Sequence, residues 1–325
     1  MPELTWSPLL PGHVPAWHPL LAAITAEDGG TEHLSESDLQ DELSPPWRDA
    51  ERDGWIVLAP DGAAVAFGLV DLRPGDRTLL RVLCWGGVAP QWRGRGIGRE
   101  LLERQLARAR ELVSARRLEL GTPDVPGIAL SPVPDGARTT PAMLRRAGLS
   151  QTRVSSVMRR DLALPIVDAR VPAGLTVRPY EPAWSEQVRR AHNDAFAQHW
   201  SFQPCTTETW QQWEVGHRDF RPDWSFVAFD RLGVAGYLMS AGHQEDWAVD
   251  GFTQGWTNKL GVRPDRRRQG LAAALLTRAM HAYRESGMQF AGLDVDAENT
   301  TNAVALYTGL GYEVRHTTAM WTLPL

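Results

Sequence analysis

The sequence predicts an α/β protein built as a tandem repeat of one unit, and three observations predict it. Setting Gly96 against Gly270 brings Pro90 onto Pro264, Arg93 onto Arg267 and Leu101-Leu102 onto Leu275-Leu276. Around both glycines the chain runs in one order: two apolar segments joined by a polar turn, a strand ending in Val-x-Pro, then a long helix with an apolar stripe. At the head of each helix stand arginines and glycines, RGRGIGRELL (93–102) and RRRQGLAAALL (266–276), where a helix start ordinarily gathers acidic residues.

GWIVLAPDGAAVAFGLVDL (54–72) and DWSFVAFDRLGVAGYLMSA (223–241) each read as a hairpin, two apolar runs around a glycine-bearing turn. TLLRVLCWGGVAP (78–90) and QGWTNKLGVRP (254–264) follow as strands. Ile97, Leu101, Leu102, Ala109, Leu112 and Val113 then recur at helical spacing, as do Leu271, Leu275, Leu276, Ala279, Met280 and Tyr283, with Gly287 as the second helix's stop. Further strands are expected at RRLELGTP (116–123) and QFAGLDVDA (289–297). Each copy closes with a short helix, ending at Ala147-Gly148-Leu149 or Leu310-Gly311-Tyr312, and a last strand. ALPIVDARVPAG (163–174), with two prolines and no period, reads as the linker, and LTVRPY (175–180) opens the second copy. The expected domains are 1–163 and 172–325.

Composition narrows the function. A length of 325 residues suits two domains, and 43% apolar with 22% charged residues marks an ordinary globular chain. The formal net charge of −5 weighs against general nucleic-acid binding, which needs a basic face. Cys84 and Cys205 are far apart with no CxxC spacing, so neither a disulfide framework nor a thiolate metal site is expected. The start, MPELTWSPLLPGHVPAWHPLL, lacks the pattern of a signal peptide, and no run approaches the roughly 18 apolar residues that span a membrane. The sequence therefore reads as cytoplasmic, with no membrane partner.

A strand, a glycine-containing loop and a helix start together present unpaired N–H groups in a concave nest, which binds phosphate with the helix dipole assisting. The arginines of the turn are expected to be partners of the same anion. RGRGIG is neither GxxxxGK[ST] nor GxGxxG, since no lysine-serine pair follows and Arg99 stands at the third glycine position. A dinucleotide oxidoreductase is accordingly disfavoured.

Arg93-x-x-Gly96-x-Gly98 and Arg267-x-x-Gly270-x-Ala272 resemble the pyrophosphate-binding motif of the GNAT superfamily of N-acetyltransferases. The preceding Val88-Ala89-Pro90 and Val262-Arg263-Pro264 match as well, and ENTTNAVALYTGLGY (298–312) is similar to that family's closing signature. AHNDAFAQHW (191–200) resembles the first helix of two-domain, mycothiol-synthase-like members from actinobacteria. The resemblance implies a splayed mixed sheet flanked by helices, twice over. It also implies acetyl-CoA as donor, direct transfer to an amine, and a small-molecule acceptor.

Carried over residue by residue, the resemblance implies that Leu260, Gly261 and Val262 pair with the pantetheine arm, one N–H there polarising the thioester carbonyl. The turn formed by Arg267, Arg268, Gln269, Gly270, Leu271, Ala272 and Ala273 would hold the pyrophosphate. Its N-terminal counterpart comprises Gly87, Val88, Arg93, Gly94, Arg95, Gly96, Ile97, Gly98 and Arg99. Tyr307 would be the general acid, a phenol with an ordinary pKa of about 10 serving a thiol of about 8.5. Asn299 stands before Tyr307 at a slightly longer spacing than the family's usual one, so the contact to pantetheine or adenine falls to Asn299 or Asn302.

Asp294, Asp296 and Glu298 share one face of a strand and are the candidates for the base, with Glu208 and Glu214 behind them. Leu144 stands where the first copy would need the phenol, so transfer is expected in the second copy. A non-catalytic acyl-CoA-binding or sensing protein is the alternative. His192, His199 and His217 form no metal spacing and are expected at the surface or in packing. Trp200, Trp210, Trp213, Trp224, Trp247 and Trp256 crowd the second copy before its glycine turn, as core or as the wall of an acceptor cleft.

Overall fold

A computed structural model describes residues 3–30, 34–297 and 303–325. The chain divides into two compact units, Met1–Val154 with His316–Leu325, and Ser155–Arg315. The N-terminal unit contains β1 (Thr5–Pro8), α1 (Val14–Asp28), α2 (Glu36–Leu43), β2 (Gly54–Leu58), β3 (Ala64–Leu72), β4 (Leu80–Val88), α3 (Ile97–Leu120), β5 (Gly127–Pro134) and α4 (Thr140–Arg146). β6 (Ser150–Asp161) runs across the division into the C-terminal unit. There follow β7 (Thr176–Pro179), α5 (Ser185–Phe196), α6 (Thr207–Trp210), β8 (Phe226–Asp230), β9 (Gly233–Ala241), α7 (Gln244–Asp250), β10 (Gln254–Val262), α8 (Leu271–Glu285), β11 (Phe290–Asp296) and α9 (Ala303–Gly309). β12 (Glu313–Pro324) ends the chain and crosses the division again.

Within each unit the strands form a mixed sheet. β1 to β4 are antiparallel neighbours, β4 and β5 are parallel, and β12 pairs antiparallel with β5 from Thr318↔Pro134 to Pro324↔Ile128. In the C-terminal unit the order is β7-β8-β9-β10-β11-β6, with β10 and β11 parallel and β6 pairing from Phe290↔Asp161 to Asp296↔Ser155. The final strand of each sequence copy thus completes the sheet of the other unit. That is why the compact units do not follow the repeat boundaries at 163 and 172, and nothing local in a strand's sequence names its partner.

The strand expected at 116–123 is instead the end of α3. Helical backbone carries through RRLEL to a left-handed Gly121 cap, and Leu118, which suggested a strand, is 83% exposed on the helix surface. The strand itself comes later, at GIALSPVP, where Pro132 and Pro134 hid it. Both prolines lie beyond the last β4 pair, Leu83↔Leu130, where a missing N–H costs no bond to that neighbour.

In each unit one core lies between the sheet and its long helix, and a second lies against the shorter helices, α1 and α2 in the N-terminal unit and α5 and α6 in the C-terminal unit. In the C-terminal unit Leu271, Leu275, Leu276, Ala279 and Tyr283 of α8 bury against Ala235, Leu238, Ala291 and Leu293. In the N-terminal unit Leu102, Leu106, Ala109 and Val113 of α3 bury against Val82, Cys84 and Ala129, together with Trp321 from β12. Trp321→Ala removes an indole that is 5% exposed and should cost about 3–5 kcal/mol. Limited proteolysis with mass mapping should then find the first cuts within residues 3–154, ahead of any in 155–315.

Candidate active site

The glycine turns are built alike. Gly270 caps α8 at φ 89° and Gly96 caps α3 at φ 88°, both in the left-handed region that a side chain rarely adopts. A Cβ at Gly270 would meet no atom within 4 Å, so its backbone, not crowding by the protein, demands glycine there. The first intrahelical bond runs from Ala274 N–H to the Gly270 carbonyl, and in the other unit from Glu100 N–H to the Gly96 carbonyl. Among the described residues the N–H groups of 268–273 and of 94–99 find no backbone acceptor. Six free donors around an open glycine fit a pyrophosphate.

The arginines mostly turn elsewhere. Arg266 donates to Asp230 at 2.7 and 2.9 Å, and Arg263 donates to the same carboxylate at 2.6 Å. Their hydrogen bonds, Arg263's first, hold Asp230 well below the usual carboxylate range, so it stays ionised and cancels charge beside the turn. Arg267 folds back to the carbonyls of Val262 and Ala195, as Arg93 does to Val88 and, bidentately at 2.8 and 2.9 Å, to Asp28. These two side chains tie the end of the strand to the end of α5 or α1. The expectation that all the flanking arginines face an anion is corrected accordingly.

Arg268 is the exception. It is exposed and left-handed at φ 58°, at the place where the N-terminal turn has Gly94 at φ 75°. A non-glycine residue there costs on the order of 1 kcal/mol, and the result is an exposed arginine within the turn itself. In the N-terminal turn Arg95 stacks on Trp92 and Arg99 sits 4.0 Å from Glu103.

Beside each nest the two parallel strands part. β10 and β11 pair from Gln254↔Phe290 to Thr257↔Leu293 and no further, so residues 258–262 present an unpaired edge toward β11. Leu260, Gly261 and Val262 lie on it. β4 parts from β5 in the same way after Leu83↔Leu130. One difference separates the units. β10 slips register against β9 between Thr257 and Lys259, a bulge at Asn258, whereas β4 pairs with β3 without a slip from Val82 to Val88. The ring of Tyr237 fills the place a side chain at Gly261 would take.

Tyr307 lies on α9, packs edge-on to Tyr312 at 5.9 Å and is 8% exposed. Burial first, and then the Asp294 carboxylate, push its phenol up to about 12. Leu144, its counterpart by sequence, is an ordinary core residue of the N-terminal unit, 1% exposed. On β11 Leu293 and Val295 enter the core, so Asp294 and Asp296 share the opposite face. His199 Nε2 lies 3.6 Å from Asp296. Glu298, Asn299 and Asn302 lie outside the described residues.

Of the other candidates, His192 is buried among Phe196, Phe202 and Trp210, its Nδ1 2.6 Å from Tyr237 Oη. Burial and then Lys259 pull it down to about 3, so it stays neutral. Burial pushes the Cys205 thiol up, away from thiolate chemistry. Trp210 and Trp224 are core, each 1% exposed, while Trp256 is half-buried and lies over Gly292. Glu214, a minor candidate from sequence, takes a hydrogen bond from Asn258 and pairs with Lys259. Sequence reading passed over Asn258 and Lys259, although two successive polar residues in TNKLGV break the strand alternation.

This geometry is that of an acyl-CoA transferase fold, and the relatives agree. The family model for the acetyltransferase (GNAT) family matches residues 18–130 and again 185–312, and the chain belongs to that family. A protein of Thermobifida fusca (strain YX) named mycothiol acetyltransferase is 30% identical over 82% of this chain and 80% of its own. One of the same name from Thermobispora bispora is 30% identical over 90% of each. Among solved structures, a GCN5-related N-acetyltransferase from Sphaerobacter thermophilus superposes with a TM-score of 0.77 at 24% identity, over 99% of this chain and 95% of that one. A tandem GNAT protein of the clavulanic acid biosynthesis pathway gives 0.69 at 18% identity, over 99% and 98%. The protein is thus a GNAT-type acyltransferase with two tandem domains of that fold. No helix among the described residues is long and apolar enough to cross a membrane.

Filling either nest with a carboxylate separates the two turns. In titration calorimetry with acetyl-CoA, Gly270→Glu should abolish the binding measured for the unaltered chain, and Gly96→Glu should leave that affinity within about threefold.

Proposed function

We propose that the chain moves an acetyl group from acetyl-CoA directly to the amine of a small molecule, and that the chemistry takes place in the C-terminal unit. The observation that carries this reading is the coincidence, in that unit alone, of three features: a free phosphate nest, a bulged strand at the splay, and a buried phenol. The relatives' name supports a small-molecule acceptor. The N-terminal unit keeps the nest and lacks the bulge and the phenol, so we assign it acyl-CoA binding without transfer.

Bound acetyl-CoA supplies the thioester, whose C–S bond breaks as the new C–N bond forms. The N–H groups of 268–273 and the Arg268 cation hold its pyrophosphate, and the open edge at Leu260, Gly261 and Val262 aligns its arm. A backbone N–H on that edge meets the charge developing on the carbonyl oxygen, where a fixed donor is worth several kcal/mol. Tyr307 gives its phenolic proton to the departing sulfur. Asp294 or Asp296, through water, takes the proton the amine loses, with Glu298 the third candidate. Asn299 or Asn302 steadies the pantetheine or adenine end.

Tyr307→Phe keeps the ring and removes only the proton. With acetyl-CoA and a panel of primary amines, followed by release of free thiol, it should lower kcat by roughly 10²–10⁴-fold with acetyl-CoA affinity unchanged. A phenol raised to about 12 stays protonated below that pH, so the wild-type rate should show no alkaline fall assignable to it across the neutral range. An unchanged kcat in Tyr307→Phe, or an alkaline fall near neutrality that this variant removes, would contradict the assignment.

A further inference from the structure

Two irregularities of the C-terminal unit meet at one carboxylate. The first is the bulge at Asn258, where β10 gains a residue against β9. The second is a π-helical turn, Gln211–Val215, running on from α6 and closed by the Gly216 N–H on the Gln211 carbonyl. Such turns are rare and widen a helix by one residue. Glu214 lies within it, and its side chain is only 9% exposed.

A bulge undoes the alternation of a strand, so that two successive side chains fall on one face. Thr257, before it, faces α8, with its Oγ1 3.2 Å from the Tyr283 hydroxyl. Leu260 and Val262, after it, pack against the α8 core again. Between them Asn258 and Lys259 both face away from α8 and both reach Glu214. Asn258 Nδ2 donates to Glu214 Oε2 at 2.7 Å, and Lys259 Nζ lies 3.1 Å from Glu214 Oε1. Lys259 Nζ also donates, at 3.4 Å, to the backbone carbonyl of Asn258 itself. The three residues close a ring around the extra residue. Lys259 is the one lysine in a chain that otherwise uses arginine. A slender ammonium can serve a carboxylate and a carbonyl together where a planar guanidinium would take the carboxylate in a fork.

The regular strand is the control. β4 occupies the same place in its own sheet, lacks the bulge, and belongs to the unit without the phenol. The layout of the fold therefore does not require the bulge.

We propose that Glu214, clasped by Asn258 and Lys259, is a positioning residue for acyl transfer: it locks the β10 bulge and so fixes the backbone N–H that polarises the thioester carbonyl. Both oxygens of Glu214 are engaged, which suits holding and not proton abstraction. This inference rests on the acyl-transfer reading of the C-terminal unit.

Its test uses the full chain and [1-¹³C]acetyl-CoA, followed by infrared difference spectroscopy of the thioester carbonyl, by calorimetry, and by turnover on the amine panel. In wild type the bound carbonyl band should lie below its position in water. In Glu214→Ala it should move back toward the water position and kcat should fall at least about tenfold, with acetyl-CoA affinity within about threefold. A purely structural Glu214 would lower the melting temperature and leave the band where it was. If Glu214→Ala does not fold, Glu214→Gln combined with Lys259→Met removes both charges of the pair together and carries the same readout. A variant band equal to a shifted wild-type band overturns the assignment of Glu214 alone. A wild type that binds acetyl-CoA with no shift, or does not bind it, overturns the acyl-transfer reading and this inference with it.

Discussion

A helix whose N-cap is a left-handed glycine has no capping side chain to take the N–H groups of its first turn. That constraint organises both units. Among the described residues six N–H groups at 268–273 and six at 94–99 find no backbone acceptor, and nothing lies within 4 Å of the place a Cβ at Gly270 would take. Leaving so many backbone donors without a protein acceptor is unfavourable wherever water is excluded, unless a ligand takes them. The splay of the neighbouring strands gives such a ligand's remainder somewhere to lie, since each parallel pairing stops halfway and frees one edge of β10 or β4.

The electrostatics around the turns follow from the same geometry. Positive charge at a helix start is costly, and most of the arginines there are spent on local partners. Asp230 and Asp265 together offset Arg263 and Arg266, while Arg93 and Arg267 brace strand ends against helix ends. Only Arg268 stays exposed on a strained backbone at the nest. From this shared plan the units diverge in two places. One is a bulge clasped by Glu214 against a regular strand, and the other is a phenol in the C-terminal unit against a leucine. On the proposed reading, loss of either feature would remove a contribution made in the transition state and leave the glycine turn intact.

Much of this was legible in the residues, because hydrophobic period and glycine turns are local signals that repeat 174 residues apart. The hairpins and the helices headed by Gly96 and Gly270 are readable that way, whereas the segment 163–174, read as a linker, lies inside the C-terminal unit. What was misread has specific causes. The strand expected at 116–123 is the end of a helix, because a short apolar run carries both periods, and the true strand β5 was disguised by its prolines. The exchange of β6 and β12 between units leaves no mark in either strand. The role proposed for Glu214 depends on a π turn and a bulge meeting in space, each an insertion of one residue that pattern averages away. The arginines looked like ligands because sequence shows their charge and hides Asp28, Asp230 and the carbonyls that claim them.

Amide hydrogen exchange on the full chain, with and without acetyl-CoA, reads the central constraint directly. The amides of 268–273 have no backbone acceptor among the described residues and should exchange fast in the free protein. If they are the phosphate anchor, saturating acetyl-CoA will slow them selectively, along with the open edge of β10. Exchange across 268–273 that is equally fast with and without acetyl-CoA, under conditions where binding is verified, would contradict the placement of the donor in that nest.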